Sequence, residues 1–205
     1  MKKIILIFSL LVGYSTAQCL GAPLTTRIGI KLGINPGFYN YDDGLDKFTG
    51  TGFHIGFGMG TDFMSLISLD MTPQWRSTSY GRDEVLGYHS YSYTNIYFPI
   101  FIALKGGLIP VVSPYLGLGL GINIRASGKE RLEFNNGTAI EDDIGGGGVS
   151  GIGIFGLGLE FKFLNFRVPL EFTANINGSA DDPNTENRTE ENIDYHISTG
   201  FYYSH

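Results

Sequence analysis

Residues 114–122 read PYLGLGLGI. Side chains alternate between the two faces of an extended strand. Leu116, Leu118, Leu120 and Ile122 therefore share one face, and Tyr115, Gly117, Gly119 and Gly121 share the other. Glycine weakens a strand, so three on one face need a reason. A water-soluble sheet needs a bulky inner face to fill a core at organic-crystal density. A narrow membrane barrel has the opposite need: its apolar face meets lipid, and its inner face must be small or polar.

The chain opens with Met1-Lys2-Lys3, an apolar run over 4–12, and Ser15-Thr16-Ala17. This order of a basic start, a short apolar run and small residues predicts a signal peptide over 1–17, with the mature domain over 18–205. The run is too short to span a bilayer as a helix. Cys19 invites a lipoprotein reading, but Thr16-Ala17-Gln18 lacks the usual pattern before the cysteine; a lone Cys builds no internal disulfide framework. No later apolar run is long enough for a transmembrane helix, and the 42% hydrophobic residues fall mostly at every second position. An exported chain of this kind is a soluble protein or an outer-membrane barrel, since only helices and closed barrels satisfy their backbone inside lipid. The 30 glycines and 14% aromatics suit the barrel. Net charge is −6, and −8 once Lys2 and Lys3 are removed, so nucleic acid is an unfavourable partner.

Eight alternating segments predict eight strands, over 26–34, 52–60, 66–79, 93–104, 114–125, 149–163, 166–176 and 193–203. Each is near the ~9–11 residues that a tilted strand needs to cross a membrane. In the sixth, Ile152 and Ile154 fall out of phase with Phe155, Leu157 and Leu159, which predicts a β-bulge near Ile154. Pro73, Pro99 and Pro169 lie inside strands and predict further bulges or strand ends, because proline donates nothing to a ladder. The connections alternate long (35–51, 80–92, 126–150, 177–192) and short (61–65, 105–113, 164–165), as outer loops and periplasmic turns do in small barrels. The expected fold is all-β: an eight-stranded antiparallel up-and-down transmembrane β-barrel with both termini periplasmic.

Charge decides which face is inside. Arg27, Lys31, Asp70, Arg76, Arg125, Glu160, Lys162, Arg167, Glu171 and Asp194 all share the non-apolar face. A lipid-facing Arg or Lys at the midplane would cost roughly 2–4 kcal/mol, so this face lines the lumen, where both signs can pair. Phe53, Trp75, Phe163, Phe166, Phe172 and Tyr203 sit near apolar strand ends, where interfacial aromatics belong. The bare glycine face is expected to lie against charged neighbours such as Arg125.

Three runs, GIKLGIN (29–35), YFPIFIALK (97–105) and PYLGLGLG (114–121), resemble the PorT-like outer-membrane β-barrel domain common in Bacteroidetes. More loosely, the chain is similar to the OmpA/OmpX class of eight-stranded barrels. The last residues, 198–205, resemble the C-terminal signal read by the outer-membrane assembly machinery, except that His205 stands where Phe or Trp is usual. The resemblance implies a fold and a cell-envelope location, and leaves open an accessory part in protein secretion.

Chemistry is sparse. His196 and Ser198 form an H-x-S pair that is similar to the His/Ser arrangement of lipid A deacylases, but a nucleophile needs a base in reach and a group to orient that base. Polar lumen lining is the better expectation, for His54 as well. The acidic run DDPNTENRTEE (181–191) offers oxygen ligands for Ca²⁺ without the EF-hand pattern and is expected to be a solvated loop. Gly145 to Gly148 has no strand-to-helix context for phosphate. The Asn-x-Ser/Thr sites at Asn136, Asn177 and Asn187 lie in expected loops.

The expectation is a non-enzymatic bacterial outer-membrane barrel without cofactor, metal or catalytic residues, structural, adhesive or interacting through its outer loops. Eight strands leave an interior just wide enough for side chains. Its partners would be the lipid bilayer and lipopolysaccharide, the outer-membrane assembly machinery during biogenesis, and envelope or surface proteins. A soluble exported barrel with an internal apolar face for an apolar ligand, and a lipid A-modifying enzyme, are the alternatives.

Overall fold

The structure is a computed structural model that describes residues 24–39, 48–106, 111–177 and 192–205. The expected signal peptide, Cys19 and the acidic run 181–191 lie outside the described residues. Ten strands form one sheet: β1 (Leu24–Tyr39), β2 (Phe48–Phe63), β3 (Ile67–Met71), β4 (Gln74–Glu84), β5 (Gly87–Lys105), β6 (Val112–Phe134), β7 (Ala139–Asp143), β8 (Val149–Phe163), β9 (Phe166–Asn177) and β10 (Asn192–Ser204). Every pairing is antiparallel, and β1 pairs with β10 from Arg27 opposite Ser204 to Gly37 opposite Asp194, which closes the sheet. β3 and β4 form one stave, and β7 is a short strand beside the far end of β6. The result is the eight-stave antiparallel up-and-down transmembrane barrel expected from the alternation.

The faces are as the charges require. Ile28, Ile30, Leu32 and Ile34 on β1, Ile100, Ile102 and Leu104 on β5, and Leu116, Leu118, Leu120 and Ile122 on β6 all point outward, with Leu120 73% exposed. Aromatic residues group at two heights of this apolar surface. Phe166 packs on Phe201 and Tyr203 at the end that carries both strand termini, while Phe53 meets Trp75 edge-on at 5.2 Å and Phe172 stacks on Tyr195 higher up. Beyond Trp75 and Ile96 the same outer face turns to Ser77, Ser79, Ser92 and Thr94, and the Ser79 and Ser92 hydroxyls lie 3.1 Å apart. An apolar band edged by aromatics and then by hydroxyls matches the layering of a bilayer.

The prolines differ from expectation. β3 and β4 keep one register against both β2 and β5, and the ladder is merely interrupted at Thr72-Pro73. Pro99 of β5 lies across from that gap, so two prolines share one interruption; the Pro73 carbonyl still accepts Phe57 N–H at 3.1 Å. At Pro169 the β9–β10 pairing stops at Leu170 opposite Thr199 and resumes at Arg167 opposite Tyr202, again without a shift. Losing one donor opens a gap in a closed sheet but need not insert a residue. The register shift in the described ladders falls elsewhere, between Thr94 and Asn95 where β5 meets β6.

The expected bulge near Ile154 is also absent. β8 pairs with β6 and β9 without a shift, and Ile152 and Ile154 point inward, 3% and 6% exposed. They join Tyr97, Phe101, Ala103 and Tyr115 in an apolar cluster inside the lumen. That cluster explains the bare strand better than Arg125 does. A Cβ on Gly121 would stand 2.6 Å from the Tyr97 ring, one on Gly117 2.6 Å from Phe101, and one on Gly158 2.6 Å from Tyr115. The glycines leave space for aromatic rings leaning over from neighbouring strands, and Arg125 instead stacks on Tyr93 at 4.9 Å.

Two expected long loops are largely strand. β4 and β5 run on through 80–92 and turn over Val85-Leu86, while β6 continues to Phe134 and folds back as β7. Above the apolar band no lipid faces a ribbon, so alternation fades although backbone pairing continues. β1 and β2 likewise stay paired up to Tyr39 opposite Phe48. At the opposite end two connections are tight: three residues, 64–66, join β2 to β3, with Met64 and Ser65 both at φ > 0, and two, 164–165, join β8 to β9, with Leu164 at φ > 0.

Gly121→Val is expected to lower stability by about 1–3 kcal/mol, because the Tyr97 ring must leave its rotamer. Urea unfolding of the refolded protein in micelles checks this. Relief of the defect by adding Tyr97→Leu identifies ring crowding as the cause.

Candidate functional site

The interior is the candidate site, and its lower part is an ion-pair plug. Arg27 at the start of β1 grips Asp70 of β3 with Nη2 at 2.8 and 2.6 Å from the two carboxylate oxygens. Its Nη1 donates to Glu160 of β8, and Asp62 of β2 lies 3.6 Å from Nη2. Lys105 at the end of β5 donates to Asp62 and Glu160, both at 2.8 Å. Arg167 of β9 faces Glu160 at 3.6 Å, an ion pair too long to be a hydrogen bond. Three cations thus meet three carboxylates from six staves, and the charges cancel. Buried ions cost several kcal/mol each unless paired and hydrogen-bonded, which this arrangement provides.

In the next layer Lys31 pairs with Glu171, which also accepts the Tyr115 hydroxyl at 3.0 Å and Ser198 Oγ at 3.5 Å. Above it the wall is less saturated. His54 Nδ1 and Asn35 Oδ1 share a hydrogen bond at 2.5 Å. The His54 and His196 rings lie 5.4 Å apart, and Arg76 lies over the Tyr97 ring at 3.3 Å. Tyr97 donates its hydroxyl to Asn175 at 3.5 Å, and Tyr80 donates to Asp194 at 3.1 Å. The free volume threading these layers is a cavity of about 50 Å³. That is room for a few water-sized bodies, not for a solute path or an apolar ligand.

The H-x-S pair does not assemble as a catalytic unit. His196 and Ser198 are both buried in the lumen, but Ser198 bonds to Glu171, and neither His196 ring nitrogen has a hydrogen-bond partner among the described residues. Asp194, which shares their face, is engaged by Tyr80 instead. His54 fills the lumen as expected. Gly145 and Gly147 take φ > 0 in an exposed connection before β8, with nothing within 4 Å of a built Cβ.

Sequence reasoning missed Asp62 and Lys105, which it left in turns, and the aromatic layer of Tyr97, Phe101, Tyr115 and Tyr202. Inward parity on their strands was the available signal. Outside the apolar band, Lys129 of β6 pairs with Glu141 of β7, whose hydrogen bond and charge hold the lysine above its ordinary pKa. The β6–β7 ribbon carries further exposed charges at Arg131, Glu133, Asp142 and Asp143.

No protein-family model matches the chain, and no curated protein matches it. Among solved structures, Neisserial surface protein A is similar at 13% identity, with 89% of this chain and 98% of that one covered and a TM-score of 0.46. Ail, the attachment invasion locus protein of Yersinia pestis, is similar at 14% identity, 86% and 98% coverage, TM-score 0.44. The N-terminal β-barrel domain of Pseudomonas aeruginosa OprF is similar at 12% identity, 88% and 97% coverage, TM-score 0.42. Fold and function are therefore argued from this chain's own residues.

Glu160→Gln removes the carboxylate shared by Arg27, Lys105 and Arg167. A loss of about 3–5 kcal/mol in urea unfolding is expected, the usual effect of stranding buried charge. Glu141→Gln, in the exposed ribbon, is expected to change stability by no more than ~0.5 kcal/mol.

Proposed function

We propose that this chain is a small integral outer-membrane protein that acts through its surface rather than through a channel or an active centre. The observation that carries this reading is the pairing of an outward apolar band with a lumen filled by ion pairs and aromatic rings. A soluble ligand-binding barrel would need the reverse arrangement, since its apolar face would enclose the ligand. The tight turns and both strand termini share one end, which supports a periplasmic placement for that end and an outer placement for the extended β4–β5 and β6–β7 ribbons.

The outer ribbons supply the interaction surface in this reading. They project past the hydroxyl-edged rim, are stiffened by backbone pairing, and present mixed charge to lipopolysaccharide or to envelope and surface proteins. The C-terminal strand β10, ending in Phe201, Tyr202 and Tyr203, supports recognition by the outer-membrane assembly machinery. The PorT-like runs fall on β1, β5 and β6, which are barrel walls. They support placing the chain among PorT-like barrels by architecture and leave a secretion role without a residue to carry it.

The non-enzymatic reading is supported by Ser198 bonding to Glu171, a carboxylate already paired with Lys31, while His196 makes no hydrogen bond to Ser198. His196→Ala and Ser198→Ala are expected to leave the lipid A profile of the cell unchanged; a shifted acylation pattern would make the barrel an enzyme. Outer-membrane fractions are expected to hold the protein in a urea-resistant form whose gel migration changes on heating. Recovery entirely in the soluble periplasmic fraction would refute the membrane placement.

A further inference from the structure

Six staves converge on one ring of the upper lumen: Asn35 (β1), His54 (β2), Arg76 with Gln74 (β4), Tyr97 (β5), Asn175 (β9) and His196 (β10). Arg76 is 6% exposed; among the described residues no carboxylate lies within ion-pair distance of it, and it feels the charge of Asp194 only through space. Its protein contacts are Gln74 Oε1 at 3.3 Å and the Tyr97 ring beneath it. The deeper lumen cations Arg27, Lys31, Lys105 and Arg167 each touch a carboxylate. Around Arg76 the buried amide nitrogens of Asn35 and Asn175, and both ring nitrogens of His196, have no partner. Asn175 is 1% exposed and His196 3%.

A buried guanidinium without an ion-pair partner is costly, and stacking on one tyrosine offsets only part of that cost. The surplus in the ring is of donors: two amides, a guanidinium and the N–H of a neutral His196, whereas the His54 N–H is taken up by Asn35 Oδ1. A cation is disfavoured there by Arg76 itself. The cavity of about 50 Å³ passes Arg76, His54, His196 and Asn175. We propose that this ring is a binding site for one small monovalent anion of halide size. The anion would neutralise Arg76 and accept from the Asn175 amide and from His196, which line the cavity with it. A dianion or a polyhydroxylated carboxylate exceeds both the charge and the volume available.

The test uses the whole mature protein refolded in micelles, with sodium chloride, bromide or gluconate at equal ionic strength. Chloride and bromide are expected to raise the heat-modifiability midpoint by roughly 2–4 °C over gluconate. Arg76→Gln is expected to abolish that difference, while Lys129→Gln in the outer ribbon keeps it. Anomalous scattering from crystals grown in bromide is expected to place one ion within hydrogen-bond reach of Arg76 and Asn175. Equal midpoints in halide and gluconate would overturn the site and leave the ring filled by water. An undiminished halide response in Arg76→Gln would also overturn it. Should Arg76→Gln fail to fold, Asn175→Ala decides: a weakened response supports the site, and the full wild-type response overturns it.

Discussion

The narrowness of an eight-stave lumen governs everything else in this molecule. Closing eight strands leaves a cross-section that side chains alone fill. A ring on one stave must therefore be matched by an absence on its neighbour, and a charge on one by the opposite charge across the bore. Gly121 beneath Tyr97, Gly158 beneath Tyr115 and Gly58 beneath Tyr202 are three instances of the first exchange. Arg27 with Asp70, Asp62 and Glu160 is the second. The glycine face of β6, which would be a defect in a soluble sheet, is here the complement of an aromatic layer.

Much of this was legible because lipid imposes a strict rule on one face. Apolar residues at every second position, with charge confined to the other parity, oriented β1, β5, β6 and β10 correctly from sequence. The rule fails where lipid no longer applies. Ile152 and Ile154 obey the inner face's logic of filling space, not the outer face's logic of apolarity, so their parity looked like a slip. Residues 80–92 lost their alternation because no lipid faces them, and the inward Tyr80 and Tyr91 pack together above the apolar band. Partners within the lumen were out of reach altogether. Arg27 and Glu160 stand 133 residues apart and meet only because closure brings β1 and β8 to one bore.

The prolines show how closure changes a familiar constraint. In an open sheet proline is driven to an edge. A barrel has no edge, and this one places Pro99 opposite the break at Thr72-Pro73 so that two missing donors fall in one interval of ladder. The register on either side is untouched, which keeps Arg76 and His54 on the lumen side and Trp75 and Ile55 on the lipid side. A true bulge at that point would have turned Arg76 outward among apolar neighbours.

Stability and function are thereby assigned to different parts of the chain. The lower plug is neutral, multiply bonded and shared by six staves, so any residue there is held by several others at once. Such a lumen is filled by its own side chains, whereas β6 and β7 project beyond it and carry charge with few buried contacts. The upper ring is the exception. It keeps a buried cation and donors without partners among the described residues, where the plug keeps matched pairs. A buried cation without an ion-pair partner in so confined a space is the physical ground for the proposed anion site.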